Sequence, residues 1–368
     1  MDQGDAVNVR VALAFLLIAA PASAQQRAEP GSAPQVLATL VETYGVSGME
    51  GPVRDTVRAL LPPWAQAIAR VDSAGNLIVD AGRGDPVVVF IAHLDEIGFV
   101  VTKIRDDGQL ELEQRGGFFL SLFEGRPALL HTGSGTVPAI FLPRDSVGTM
   151  PRRTPPPLRA DIGVTTRAGA EALGVRAGNT LTMPKAFVPL AGTRATGRSF
   201  DDRVGCTALI LALRRLDPEH LRHRVIFVFS VREETGLDGA RVVADALGLA
   251  PARVHAVDTF VSSDAPLEMK TFADVPLGSG AVARAADNSS ITPAALVDSL
   301  YGVASNRGIP LRVGTTNGGN DGSVFAAWGV PDVPVSWPLR YSHSPAEVID
   351  LQDVEALARL IQAVAKDW

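Results

Sequence analysis

Residues 225–236 read VIFVFSVREETG, an apolar run followed by two adjacent glutamates and a glycine. The apolar run predicts a buried strand. Neighbouring side chains in a strand point to opposite faces, so Glu233 and Glu234 can serve one site only where the strand has ended in a loop, and Gly236 favours such a loop. A pair of this kind can carry out metal-dependent hydrolysis, because one carboxylate can bind a metal while the other accepts a proton from the metal's water.

Further apolar runs and helical spacings surround this segment. The predicted strands cover residues 86–91, 225–229, 254–257 and 333–335. The predicted helices cover residues 34–44, 204–216, 237–247, 293–305 and 354–364. This alternation predicts an α/β fold in which a mostly parallel sheet is flanked by helices. Active sites in such folds lie beyond the carboxyl ends of the strands.

The segment from about residue 103 to residue 195 has a different pattern. Short β-like runs alternate with glycine turns, and a proline cluster occupies residues 151–157. The pattern predicts a small β-rich domain at 103–195, inserted into a catalytic domain formed by residues 35–102 and 196–368.

The first 34 residues resemble an export signal and a linker. Residues 11–20 are apolar, and Ala22-Ser23-Ala24 forms a small-residue cleavage site. We expect a signal peptide at 1–24, a flexible linker at 25–34, and a periplasmic or secreted protein. The alternative is a buried helix of the mature fold. The apolar stretch is too short for a stable membrane anchor.

Composition limits the possible functions and partners. The chain has 368 residues, of which 46% are hydrophobic and 20% charged, so it can bury a sizeable core. Its formal net charge of −6 gives no electrostatic support for binding nucleic acid. The single cysteine, Cys206, allows no internal disulfide, so stability must come from the core.

Histidines and aspartates follow or precede the other predicted elements. His93 and Asp95 follow the first strand, Asp201 precedes a helix, Asp258 ends a strand, and His343 follows the last strand. Each of these residues alone has an ordinary structural explanation, such as packing, helix capping or a turn. Together with the glutamate pair they supply imidazoles and carboxylates at one edge of a sheet. A two-metal site needs such a set, including one shared carboxylate.

Four motifs in this order resemble those of a known family. They are AHLDEIGF at 92–99, DDRVG at 201–205, EETG at 233–236 and RYSHSP at 340–345. From about Val36 to the C-terminus the chain resembles the tetrahedral, glutamyl aminopeptidase-like family of dinuclear metallopeptidases, some members of which have been labelled cellulase M or endoglucanase. Asn320 and Gly322 depart from the family's usual threonine and alanine.

The resemblance implies an aminopeptidase with two divalent metal ions per subunit. His93 and Asp258 would bind one metal ion, Glu234 and His343 would bind the other, and Asp201 would bridge the two. Zinc fits these nitrogen and oxygen ligands, with cobalt or manganese as alternatives. The family's fold is a zinc-peptidase-like three-layer sandwich.

The resemblance also implies roles for the two remaining acids and for the inserted domain. Glu233 would act as general base and acid, and Asp95 would orient His93. The substrates would be peptides, cleaved at the N-terminus. The inserted domain would serve oligomerisation or substrate access, with homo-oligomers ranging from dimers to dodecamers. Two alternatives from other classes stay open, namely a metal-independent glycan hydrolase and a non-catalytic binding protein on the same fold.

Overall fold

The structure is a computed structural model that describes Met1 and residues 31–144, 157–265 and 273–368. The expected signal peptide at 1–24, apart from Met1, lies outside the described residues, as does most of the expected linker at 25–34. Most of the proline cluster at 151–157 also lies outside them. Among the described residues, no helix is both long and apolar enough to cross a bilayer.

The described residues form seventeen strands and eight α-helices. The strands are β1 Arg70–Val71, β2 Leu77–Ala81, β3 Val87–His93, β4 Gly98–Ile104, β5 Leu110–Arg115, β6 Pro127–Thr132, β7 Gly135–Phe141, β8 Arg159–Asp161, β9 Thr180–Thr182, β10 Val188–Pro189, β11 Arg194–Gly197, β12 Arg224–Ser230, β13 Pro251–Val261, β14 Ala281–Ala286, β15 Leu311–Thr315, β16 Val335–Leu339 and β17 Glu347–Asp350. The helices are α1 Ala33–Glu42, α2 Gly51–Leu60, α3 Pro63–Ile68, α4 Arg167–Ala172, α5 Phe200–Arg215, α6 Asp238–Leu247, α7 Ala294–Asn306 and α8 Leu351–Asp367.

Eight strands form the main sheet, in the order β1-β2-β12-β3-β13-β16-β14-β15. The four central strands β12, β3, β13 and β16 are parallel to one another. Antiparallel pairs join β2 to β12 on one side and β14 to β16 on the other. The predicted α/β fold with a mostly parallel sheet is therefore confirmed, and its antiparallel outer strands are an addition to the prediction.

Alternate residues of the central strands face two separate apolar layers. On β3, Val88 and Phe90 point to the layer that contains α1, α2, α5 and α8, whereas Val89 and Ile91 point to the layer that contains α6. This division follows from the two-residue repeat of a strand. Because both faces are covered, every residue of β3 is buried.

The inserted domain is a closed six-stranded barrel, in the order β4-β5-β8-β7-β6-β9. It has its own core, in which the ring centroid of Phe99 lies 5.5 Å from that of Phe123 and 4.8 Å from that of Phe141. The barrel strands run from Gly98 to Thr182, whereas the predicted insertion ran from 103 to 195. The start differs because β4 pairs with β5 and β9 of the barrel. The end differs because β11 pairs with β17.

A buried group of charges joins the barrel to the main domain. Glu96, just before β4, lies 2.8 Å from Lys185 Nζ, 3.1 Å from Arg198 Nη1 and 3.5 Å from Arg203 Nη2. Burial raises the pKa of Glu96, but the three cations outweigh it and hold that pKa well below its usual value. Burial lowers the pKa of Lys185 to about 7. The three cations share this one carboxylate, and backbone carbonyl oxygens accept further hydrogen bonds from Arg198 and Arg203.

Candidate metal centre

The seven residues singled out from the sequence come together at the carboxyl edge of the four central strands. They are His93, Asp95, Asp201, Glu233, Glu234, Asp258 and His343. His93 ends β3, and the two glutamates follow the end of β12 at Ser230. Asp258 lies on β13, and His343 follows β16 in a left-handed backbone conformation with φ 57°. Asp201 lies in the first turn of α5.

Asp201 lies between the two histidines. Its Oδ1 is 3.1 Å from His93 Nε2, and its Oδ2 is 3.3 Å from His343 Nε2. Two groups of potential ligands result, one with Asp258 beside His93 and the other with Glu234 beside His343. Within each group the ligand atoms lie within 4.8 Å of one another, and Asp201 belongs to both. This is the geometry of two adjacent cation sites with a shared carboxylate.

The remaining ring nitrogen of each histidine has a fixed partner. His93 Nδ1 lies 3.2 Å from the carbonyl oxygen of Asp95 and 3.5 Å from its carboxylate. His343 Nδ1 lies 2.7 Å from the carbonyl oxygen of Gly117, in the barrel. A carbonyl oxygen can only accept, so His343 Nδ1 must carry the proton and donate. Its Nε2 is then the nitrogen that faces the centre, as in metal-binding histidines.

Asp95 fixes the glutamate loop as well as His93. Its two carboxylate oxygens accept the backbone N–H groups of Glu233, at 3.0 Å, and Glu234, at 3.1 Å. Burial raises the pKa of Asp95, but the hydrogen bond and the charge of His93, together with hydrogen bonds from Ser47 and the Glu233 N–H, outweigh this and leave that pKa below its usual value. Asp95 therefore sets the position of both glutamates relative to His93.

Negative charge is concentrated in a buried space. Burial, with repulsion from Asp258, raises the pKa of Glu233 well above its usual value although His93 opposes the shift. Burial lowers the pKa of His343, but Glu234 and Asp201 outweigh it and raise that pKa to about 12. Neighbouring carboxylates contribute to the shift of Glu233 and outweigh burial in the shift of His343. A bound cation would relieve this repulsion.

Glu234 provides a test of whether these residues suit a metal. Its Oε1 is buried and has no hydrogen-bond partner, although it lies 3.3 Å from His343 Nε2. The carboxylate oxygen and the imidazole nitrogen therefore face each other without forming a hydrogen bond. Such an arrangement is unfavourable alone and is normal for two ligands of one cation. The residues therefore fit a metal at this position.

Several supporting residues carried no signal in the sequence. Glu347 accepts the N–H of His343 at 3.2 Å and the N–H of Phe200 at 2.7 Å, and so ties the loop after β16 to the start of α5. Ser342 Oγ donates to Asp201 Oδ2 at 3.1 Å. The partners of Glu347 are backbone groups, one of them 147 residues away. No local pattern predicts such a contact.

A pocket of about 370 Å³ opens onto the centre. One wall belongs to the barrel and includes Phe118, Phe119 and Leu122. The opposite wall belongs to the main sheet and includes Arg284, whose guanidinium lies 2.9 Å from Asp287 and 3.9 Å from Asp258. The pocket therefore lies between the two domains, with the acidic centre along one side.

Known proteins resemble this chain along most of its length. The sequence model described as M42 glutamyl aminopeptidase matches residues 75–360. The chain is 29% identical over 354 residues to the lysyl aminopeptidase of Pyrococcus furiosus, covering 90% of this chain and 96% of that protein. It is 26% identical over 350 residues to the glutamyl aminopeptidase of Lactococcus lactis, covering 88% of this chain and 93% of that protein.

The solved structures give the same result. The TET1 peptidase of Pyrococcus horikoshii, which can assemble into a tetrahedron or a large octahedral shell, superimposes with a TM-score of 0.84 and 33% identity. The match covers 92% of this chain and all of that chain. The family model spans well over half of the sequence and includes every residue of the centre. This chain therefore belongs to the M42 family of aminopeptidases and is a peptide hydrolase.

Proposed function

We propose that this protein is a two-metal aminopeptidase that releases N-terminal residues from peptides. The observation that carries the proposal is the pair of ligand groups on either side of Asp201. Each group has one imidazole, the shared aspartate and one further carboxylate. Zinc prefers such nitrogen and oxygen ligands, and cobalt or manganese are the alternatives.

The metals would supply the electrophile and the nucleophile. When bound, two divalent cations polarise the scissile carbonyl and lower the pKa of a water between them. His93 and Asp258 would hold one cation, Glu234 and His343 the other, and Asp201 both. Family membership favours a peptide substrate over a glycan, and a metal-independent pair of carboxylates would have no use for the two imidazoles.

Glu233 is left as the general base. It belongs to neither ligand group, yet its Oε2 lies 4.0 Å from His93 Nε2 and it lines the pocket. At this position it would accept a proton from the water and then donate it to the leaving amine. Asp95 would position Glu233 through the N–H that it accepts, and would orient His93 at the same time.

The pocket would take the N-terminal residue of the peptide. The free amine would lie against an acidic side chain or a metal of the centre, so that only a chain end could place its first peptide bond there. The side chain of the first residue would lie between the barrel wall and the main sheet. The relatives named above differ in this preference, since one is a lysyl and the other a glutamyl aminopeptidase.

Metal removal gives the first prediction. We expect protein starting at residue 25 to hydrolyse some members of a panel of aminoacyl-p-nitroanilides. EDTA should abolish the activity, and zinc, cobalt or manganese should restore it, because the centre lacks its electrophile without a cation. The release of p-nitroaniline is the measurement. Activity that persists in EDTA after the metal content has been shown to be zero would exclude the proposed mechanism.

The second prediction concerns Glu233. Glu233→Gln should lower kcat by a factor of about 10²–10⁴, because the amide cannot accept the proton from the water. The metal content should stay at the wild-type value, since Glu233 lies outside both ligand groups. Steady-state kinetics and elemental analysis of the same samples measure the two quantities. The exposed Glu219→Gln is the control and should match the wild type in both.

Two outcomes would contradict the role of Glu233. Unchanged kcat in Glu233→Gln would show that another group accepts the proton. Loss of metal together with activity would make Glu233 a ligand.

We also infer that the protein forms a homo-oligomer, between a dimer and a dodecamer. Support comes from the assemblies of the Pyrococcus horikoshii TET1 peptidase and from apolar side chains exposed on the barrel, including Ile140 and Leu173. Exposed apolar side chains of this kind commonly mark protein contacts. Light scattering of the protein starting at residue 25 should give at least two chains per particle. A monomer at micromolar concentration would refute the inference.

We also infer that the protein is exported from the cytoplasm. This inference has its own basis in the sequence. It rests on the apolar segment at 11–20 and on the cleavage site at 22–24. When the full chain is expressed in a Gram-negative bacterium, we expect periplasmic protein whose N-terminal residue is Gln25. Mass spectrometry of the periplasmic and cytoplasmic fractions measures both points. Uncleaved protein confined to the cytoplasm would contradict the proposed signal.

A further inference from the structure

The turn after β5, formed by residues 116–118, brings the barrel into contact with the metal centre. Gln114 Nε2 donates to the carbonyl oxygens of Gly116, at 2.8 Å, and Phe118, at 2.9 Å. Both partners are acceptors, so the amide nitrogen must face them. The side chain of Gln114 thus spans the turn and holds both of its ends. Between these ends lies Gly117, whose carbonyl oxygen accepts the proton of His343 Nδ1 at 2.7 Å.

The same turn also touches the second carboxylate of this half of the centre. Gly116 has φ +90°, a conformation that favours glycine. A Cβ at Gly116 would lie 2.6 Å from Ile97 Cγ2 and 3.1 Å from Glu234 Oε2. The turn therefore packs against Glu234 while it binds His343.

The Nδ1 atoms of the two histidines are oriented by different parts of the protein. His93 is oriented by Asp95, two residues away on the same loop. His343 is oriented by a carbonyl of another domain, more than 200 residues away in sequence. Its orientation therefore depends on where the barrel places the turn. The two hydrogen bonds of Gln114 go to this turn and not to His93 or Asp258.

We propose that Gln114 is a positioning residue for the His343–Glu234 half of the metal centre. The inference rests on the two-metal site proposed above. Without the two hydrogen bonds of Gln114, the peptide plane of Gly117 is free to rotate and its carbonyl no longer fixes the proton of His343 on Nδ1. The Nε2 lone pair then faces Asp201 and Glu234 for only part of the time, and that half of the site binds its cation less tightly.

The test is a zinc titration of metal-free protein, with the full mature chain in its native assembly. The variant is Gln114→Leu, which keeps the volume and removes the donor. Gln109→Leu is the matched control, because Gln109 is also half-buried and hydrogen-bonded in the barrel, with Arg159. Competition with a chromophoric chelator gives the dissociation constants for both zinc ions. Gln114→Glu, which keeps the length but has no donor, is measured in parallel.

We expect one zinc dissociation constant to rise about tenfold in Gln114→Leu and in Gln114→Glu, and the other to stay at the wild-type value. The control should match the wild type for both ions. Excess zinc should restore kcat in both Gln114 variants, which damage to the fold would not allow.

Three results would overturn the inference. In the first, both constants stay unchanged in the Gln114 variants. In the second, both constants rise together with a fall in melting temperature, which would indicate general loss of structure. In the third, the wild-type protein binds fewer than two zinc ions, and the proposed two-metal centre then fails as well. Two zinc ions in the wild type with unchanged variants would refute only the role of Gln114.

Discussion

A single carboxylate, Asp201, determines the arrangement of the candidate centre. It is buried between two imidazoles, at 3.1 Å from His93 and 3.3 Å from His343. Burial raises its pKa, but the contacts with the two histidines hold that pKa well below its usual value. Each half of the centre uses one of its two oxygens, so both halves take their position from this one carboxylate. The precision of the site therefore depends on the first turn of α5.

That turn is itself held by the body of the fold. Helix α5 is buried from Phe200 to Leu213 and packs under the parallel strands that carry the other ligands. Asp202, the neighbour of Asp201, accepts the N–H of His93 at 2.9 Å and the N–H of Gly205 at 2.9 Å. The two adjacent aspartates at this point therefore make different contacts. One faces the cation sites, and the other joins the helix to β3.

The sequence predicted those features that depend on local pattern. The apolar run before Glu233 predicted β12, and the motif containing His343 predicted a residue at the edge of the sheet. The sequence did not predict contacts that depend on distant backbone groups, such as those of Glu347 with Phe200 and of Gly117 with His343. It also placed residues 98–102 in the catalytic domain, although β4 of the barrel begins at Gly98. What β4 pairs with is decided by the closure of the barrel.

The residues of the centre lie far apart in the sequence, and this separation limits when the site can form during folding. Its residues run from His93 to His343, and closing loops of this length has a large entropic cost that only the assembled core can offset. A nascent chain that ends before His343 cannot complete the second half, and one that ends before Glu347 lacks the carboxylate that binds the N–H of His343. Such a chain would hold at most one half of the centre, so the complete site can form only after synthesis is nearly finished.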